Sequence, residues 1–181
     1  MLMESPTLDY VNYDNRLKGF FNWTMTYRLD SDIPKPYGFL ADKNSSGNHF
    51  NLTLLKDREW RKQSPADLIY PEEIRKRANR KKLVAWVVSH CRTKSNREGY
   101  VREMQKYIQV DIYGKCGTPA KCKNRSCDDL LEDYKFYLSF ENSICKDYVT
   151  EKFFSKLGRI VPVVLGGLSG DYTRMAPPGK M

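Results

Sequence analysis

Glu141, Asn142, Tyr148, Glu151 and Lys152 stand close together in one short run, YKFYLSFENSICKDYVTEKFF (residues 134–154). They bring carboxylates, an amide, a phenol and an ammonium, groups that bind sugar hydroxyls and phosphate oxygens. Lys152 is the telling member. Its spacing places it in the first turn of a helix, where the macrodipole disfavours a cation, and an anion bound there would remove the conflict. Glu151 beside it either complements the dipole or accepts hydrogen bonds from hydroxyls. A second set lies in SHCRTKSNR (residues 89–97). Arg97 opens a helix there, and a guanidinium can bridge two phosphate oxygens as an ammonium cannot. Ser89 and His90 precede it in the same loop, with Arg92 and Lys94 as further cations. A lone histidine more often serves structure, so His90 is not assigned as a base. Together the two sets suit an anion or nucleotide held at strand ends. They also fit ordinary strand-to-helix connections, with Tyr148 as a packing residue and Asn142 in a turn.

The surrounding pattern supplies such strand ends. Phe136, Leu138 and Phe140 alternate at period two, which predicts a strand with one buried face. Asp147 is placed to cap a helix continuing through Val149, Phe153, Phe154 and Leu157. Residues 83–88, LVAWVV, form the continuous apolar run of a strand buried on both faces. Tyr100, Val101, Met104, Tyr107 and Ile108 then recur at helical spacing. Val110, Ile112 and Tyr113 make the next strand, ending at Gly114, and residues 160–165 make another. The order is β-α-β, then strand, helix and strand. That predicts an α/β, Rossmann-like half with ligands at the strand C-termini. Upstream, residues 22–27 read as a strand, residues 34–38 as a turn and residues 42–48 as a loop tip. Ser64 and Pro65 start a short helix. Pro71 begins another, running into the basic residues 75–82.

The 181 residues carry a net charge of +9. The densest basic runs, residues 58–62 and 75–82, read as solvated helix faces or a linker. No RNA or DNA motif accompanies them, so nucleic acid is not an expected partner. A positive field also draws in a charged diphosphate. Five cysteines and four glycosylation sequons, at Asn22, Asn44, Asn51 and Asn124, fit an oxidising compartment. Cys116, Cys122 and Cys127 crowd into one polar loop that a disulfide would hold. Zinc is the rival reading, without a nearby histidine or a familiar spacing. Cys91 and Cys145 either pair or stay free and buried, and the odd count leaves at least one thiol unpaired within the chain. No run approaches the ~20 apolar residues that span a bilayer, and no secretory signal precedes Glu4.

These blocks resemble the α1,3/4-fucosyltransferases, enzymes that transfer L-fucose from GDP-fucose to glycans. Residues 134–154 resemble the family signature, and residues 4–7, ESPT, its ESP segment. Residues 22–39, NWTMTYRLDSDIPKPYGF, resemble its acceptor-side block, and residues 83–114 its first donor-domain strand, loop and helix. Residues 161–167, VPVVLGG, and 172–178 close the series. The blocks keep the family's order over most of the chain.

The resemblance implies a GT-B architecture, two Rossmann-like domains with the active site in the cleft between them. Residues 1–78 would be the remnant of the N-terminal acceptor-side domain with its linker. Residues 79–181 would be a GDP-fucose-binding domain truncated at its C-terminus. The implied reaction is an inverting α1,3 transfer to an N-acetylglucosamine-containing glycan on a glycoprotein or glycolipid. GDP-fucose is the donor substrate, no cofactor is required and no divalent metal is implied. The Asp30-Ser31-Asp32 triplet resembles a metal-binding motif of other glycosyltransferases but lies in the acceptor-side block, away from the donor motifs. Glu4 becomes the general base. Lys152 contacts the donor diphosphate, Glu151 ribose or fucose hydroxyls, and Arg97 a phosphate. Ser89, His90, Asn142 and Tyr148 line the donor site, although His90 stands where the family usually has asparagine. The resemblance also implies the lumenal side of the Golgi membrane, reached through an N-terminal anchor absent from this chain. An incomplete enzyme is therefore expected. The competing reading is a non-catalytic nucleotide- or glycan-binding fragment.

Overall fold

The computed structural model describes residues 22–39, 71–117 and 126–175. Glu4, Cys122, the expected helix at Ser64 and the sequons at Asn44, Asn51 and Asn124 lie outside them. The N-terminal part begins with two short strands, β1 (Met25–Thr26) and β2 (Ile33–Pro34), paired in parallel. Helix α1 (Pro71–Ala78) leads into β3 (Lys82–Val87), α2 (Arg97–Met104) and β4 (Val110–Tyr113). Then come α3 (Cys127–Leu130), a 3-10 turn (Leu131–Asp133) and β5 (Tyr134–Phe140). Single-turn α4 (Glu151–Phe154), β6 (Val161–Leu165) and α5 (Asp171–Met175) complete the described chain.

Strands β3 to β6 form one parallel sheet in the order β4-β3-β5-β6. Its registers pair Val84 with Val110 on one side and with Phe136 on the other, and Phe140 with Leu165. Parallel strands need cover on both faces, which is why they read as apolar runs. One core layer joins Val84, Trp86, Val101, Leu138 and Phe140, and the opposite layer joins Ala85, Tyr113, Leu130, Tyr137 and Ile160. The sheet is the α/β half-domain that the pattern implied.

Several boundaries differ from the expected ones. Strand β5 is buried on both faces, because Tyr137 and Ser139 are buried beside the alternate Leu138 and Phe140. Ser139 Oγ satisfies its polarity by donating to the Lys152 carbonyl at 2.7 Å. Strand β3 begins at Lys82, and Leu83 is exposed at its start. Helix α2 stops at Met104, leaving Tyr107 80% exposed, so the apolar spacing continued past the helix itself. The helix expected to be capped by Asp147 starts three residues later, with Thr150 as its cap. Asp147 instead takes a left-handed backbone, φ 60°, a conformation that Asp tolerates better than most residues.

The basic residues 75–82 are partly a staple. Arg80 donates to the Tyr134 carbonyl at 2.8 Å and the Arg159 carbonyl at 2.9 Å, and Arg77 donates to the Gly158 carbonyl. They fix the entry points of β5 and β6. Residues 22–39 pack against the far end of the same unit. Leu29 joins Val149, Phe153 and Met175 in a third core cluster, and Lys146 pairs with Asp30 at 3.1 Å. Asp30 also takes both ends of the Arg28 guanidinium, at 2.8 and 2.6 Å, while Asp32 accepts from the amide and hydroxyl of Thr24. The carboxylates of the acidic triplet are thus used within the fold.

Cys91 is bonded to Cys116, not to Cys145, and the disulfide ties the loop after β3 to the loop after β4. Cys127 is also disulfide-bonded, and Cys145 is a free thiol. The Cys91–Cys116 bridge closes a loop with a sequence separation of 25, which in the chain-entropy account stabilises by about 3.5 kcal/mol. The paired Cys91→Ser, Cys116→Ser protein is expected to lose roughly that much in urea denaturation. A loss below about 1 kcal/mol would mean that the unfolded chain already keeps the two loops close without the bridge.

Candidate functional site

Strand order decides where a site can form. The chain runs from β3 outward to β4, then returns across β3 to lay down β5 on its other side. The connections after β3 and after β5 therefore leave in different directions, and the C-terminal ends at such a switch point are where open α/β sheets form a ligand crevice. Residues 88–96 form one lip and residues 141–150 the other.

The two lips are stitched together beneath the crevice. Ser95 N donates to the Asn142 carbonyl at 3.2 Å, and Ser95 Oγ donates to the Glu141 carbonyl at 2.7 Å. Glu98 accepts from the Thr93 amide and hydroxyl at 2.6 and 2.8 Å, which closes the first lip on itself. Arg97 is buried at 3% exposure. Its Nη1 donates to the Phe140 carbonyl at 2.5 Å and its Nη2 to the His90 carbonyl at 3.3 Å. The guanidinium also lies 5.7 Å from the centre of the Trp86 ring, while Nε is buried without a partner. Burial pulls its pKa down, against the pull of Glu141 and Glu98. In this geometry Arg97 braces the lips. Ser89 and His90 are exposed on the first lip above it.

The second lip assembles the other expected residues. Tyr148 is buried, with its hydroxyl donating to Asn142 Oδ1 at 3.0 Å. Its ring is met edge-on by Tyr27 at 5.1 Å and Tyr37 at 6.0 Å, so residues 22–39 wall this side. Burial, with Cys145 next in weight, pushes the Tyr27 phenol up to about 12. Lys152 Nζ reaches Thr150 Oγ1 at 3.0 Å, Glu141 Oε2 at 3.2 Å and Glu151 Oε1 at 3.3 Å. Helix α4 is one turn long. Its dipole is too small to oppose Lys152 strongly, and these oxygens compensate the ammonium.

The sequence places Glu141 in the polar run without giving it a role, and it gives no sign of Thr150. The Glu141 side chain has no solvent exposure and accepts from Thr150 N and Thr150 Oγ1, each at 2.8 Å. Burial pushes its carboxyl pKa up, opposed by Lys152 and by the Thr150 bonds. The register that pairs Phe140 with Leu165 brings Gly166 beside Glu141. A Cβ at Gly166 would lie 2.6 Å from Glu141 Cβ and Cγ, and Gly166 has φ 144°. The signal in the sequence was this glycine, one step past a strand whose partner is followed by glutamate.

Behind the lip, Asp147 and Asp171 are both 1% exposed and share Arg174. Asp147 accepts from Arg174 at 2.8 Å and from Leu29 N at 3.2 Å. Asp171 accepts from the Asp147 and Leu168 amides, each at 2.7 Å. The cluster fixes the start of the lip, the turn after β6 and the docked N-terminal segment at one point.

Residues 77–180 match the family model "Glycosyltransferase family 10 (fucosyltransferase) C-term". Residues 1–38 match "Fucosyltransferase, N-terminal". The chain belongs to the family 10 fucosyltransferases. It is 42% identical over 183 residues to Alpha-(1,3)-fucosyltransferase C of Drosophila melanogaster, covering 98% of this chain and 41% of that protein. It is 36% identical over 178 residues to human 4-galactosyl-N-acetylglucosaminide 3-alpha-L-fucosyltransferase FUT5, covering 97% of this chain and 40% of the relative. This fucosyltransferase-family chain thus spans about two fifths of the length of these relatives. A crystal structure of an alpha1,3-fucosyltransferase aligns to 50% of the chain and 26% of its own, with a TM-score of 0.42 and 23% identity.

Proposed function

We propose that this chain carries the donor-binding part of an enzyme that transfers L-fucose from GDP-fucose to an N-acetylglucosamine-containing glycan. The transfer would form an α1,3 linkage with inversion. The observation that supports this reading is the family match over residues 77–180, laid on a switch-point crevice with Lys152, 28% exposed, at its second lip. In the proposed division, residues 1–78 belong to the acceptor side and residues 79–181 to the donor side.

The chemistry asks for three things. The acceptor hydroxyl must lose its proton, and Glu4 is the proposed base. The leaving GDP must have its charge met as the glycosidic bond breaks, and Lys152 sits at the crevice for that task. The nucleotide must be held in place, by Glu151 at ribose or fucose hydroxyls and by Asn142 and Tyr148 along the lip. Ser89 and His90 face the donor from the opposite lip. Arg97 reaches a phosphate only by exchanging a backbone carbonyl for a phosphate oxygen; otherwise it serves the site by bracing both lips. The mechanism needs no divalent metal, since fixed cations supply the charge.

The Cys91–Cys116 bridge suits an oxidising lumen, and we place the protein on the lumenal side of the Golgi membrane. No helix among the described residues is long and apolar enough to cross a membrane. Replacing Lys152 with alanine is expected to weaken GDP binding by roughly 1.5–3 kcal/mol, the scale of a hydrogen bond to a charged group. That is about a tenfold to 150-fold loss in affinity, readable by calorimetry. Unchanged affinity would take Lys152 out of the site.

A further inference from the structure

The Lys152 ammonium has three N–H bonds, and Thr150 Oγ1, Glu141 Oε2 and Glu151 Oε1 occupy all of them. It meets a diphosphate only by letting partners go. The two carboxylates differ in what release does to them. Glu151 is 64% exposed and returns to water, whereas Glu141 has no exposure at all. Gly166 closes over Glu141 so tightly that even a methyl group would collide with its Cβ and Cγ. Among the described residues, Lys152 is the one cation in contact with the Glu141 carboxylate.

We infer that Glu141 is a positioning residue working by exchange: it parks Lys152 while the crevice is empty and takes up a proton when a donor diphosphate draws the ammonium away. This rests on the donor-site reading above. The proton comes from solvent onto the carboxylate and returns when the nucleotide leaves, so no other reactant is needed.

The charges around Glu141 favour that outcome. Glu151 and the incoming diphosphate are negative and oppose a carboxylate there. The Tyr172 phenol, reached from α5, is neutral, and burial with Glu141 next in weight pushes its pKa up. Thr150 offers an amide and a hydroxyl but no charge. Arg97, reached from α2, stays in place and pulls the other way, though its terminal nitrogens already serve the Phe140 and His90 carbonyls. Burial has raised the carboxyl pKa even with Lys152 present. Losing that contact and gaining an anion both raise it further. The bound state then holds more protons than the free state. Donor affinity must fall as pH rises between the two Glu141 pKa values, with a slope approaching tenfold per pH unit, and must be flat below both.

Calorimetry of GDP-fucose binding to the 181-residue chain tests this in buffers matched in pH but different in ionisation enthalpy. The scan runs from about pH 5 to about pH 9, where buried glutamates titrate. GDP-fucose is the probe because a diphosphate esterified at both ends does not itself titrate there. Proton uptake approaching one per site is expected within that window, vanishing in Glu141→Gln together with the pH dependence of affinity. An infrared difference spectrum of the unaltered chain reads the same event without a variant, as a protonated-carboxyl band that appears on binding. If Lys152→Ala weakens binding but the unaltered chain takes up no proton, or Glu141→Gln takes up as many, the exchange is wrong and the donor site stands. If Lys152→Ala binds GDP-fucose as tightly as the unaltered chain, the donor-site reading fails and this inference goes with it.

Discussion

Replacing Arg174 with methionine is expected to destabilise the fold by about 3 kcal/mol, near the lower end of the cost of leaving buried charge unpaired. Asp147 and Asp171 are each 1% exposed, and Arg174 is the cation they share. Methionine keeps most of the side-chain length while removing the charge, so the loss reports electrostatics rather than a cavity. Arg174 is itself 41% exposed, which lets water screen part of the interaction and sets the estimate low in the range. The backbone amides of Leu29, Asp147 and Leu168 remain on the two carboxylates and soften the loss without neutralising either. Urea denaturation measures it directly. A change below about 1 kcal/mol would show that these amides suffice. The same variant is expected to loosen the docking of residues 22–39, because Leu29 N is held by Asp147.

That cluster also marks where the sequence stopped being readable. Strands β3, β4 and β6 were legible because a sheet buried on both faces demands apolar runs, and those runs have few other uses. Strand β5 was legible as a strand but misread in burial. Its second face carries Tyr137 and Ser139, whose polar atoms look solvent-bound until Ser139 is seen to donate to the Lys152 carbonyl. Asp147 looked like a helix cap, since residue type and local spacing are all that a capping argument uses. Its actual partners are Leu29, 118 positions away, and Arg174, 27 positions away. Distances of that kind follow from topology, not from local pattern. The Cys91–Cys116 pairing has the same origin, because only the adjacency of β3 and β4 brings their following loops together.

The site itself was legible as composition and hidden as geometry. The clustering of Asn142, Tyr148, Glu151 and Lys152 marked a polar lip, and the structure does bring these four to one loop and its following turn. What pattern could not supply was the supporting layer. The expected conflict between Lys152 and a helix dipole is slight, because the helix is one turn long. The Lys152 ammonium is met by Glu141 and Thr150, whose positions depend on a glycine in the neighbouring strand's connection. Arg97 shows the converse. Its type suggested a phosphate ligand, while the fold engages its terminal nitrogens with two backbone carbonyls.

Replacing Glu4 with glutamine is expected to lower fucose transfer by about a hundredfold to ten-thousandfold while leaving GDP-fucose affinity within about twofold, the scale of a lost general base. The separation follows from where the two tasks reside. The proposed donor contacts fall within residues 89–152, on the parallel sheet and its connections, whereas Glu4 lies within the residues that match the N-terminal family model. A base acts only when it is held near the attacking hydroxyl, and a displacement of ~1 Å can cost on the order of a hundredfold in rate. Because the chain spans about two fifths of its relatives' length, the assay needs two forms: the 181 residues alone and the same chain extended to the relatives' length. The short form is expected to bind GDP-fucose and transfer little, and the extended form to do both. Glutamine at position 4 in the extended form should then abolish turnover alone. Transfer that survives this change would place the base elsewhere. Rapid transfer by the short form would show that the residues present already position acceptor and donor together. If the short form bound GDP-fucose and the extended form never transferred fucose, the protein would be a nucleotide-binding member of the family without catalysis.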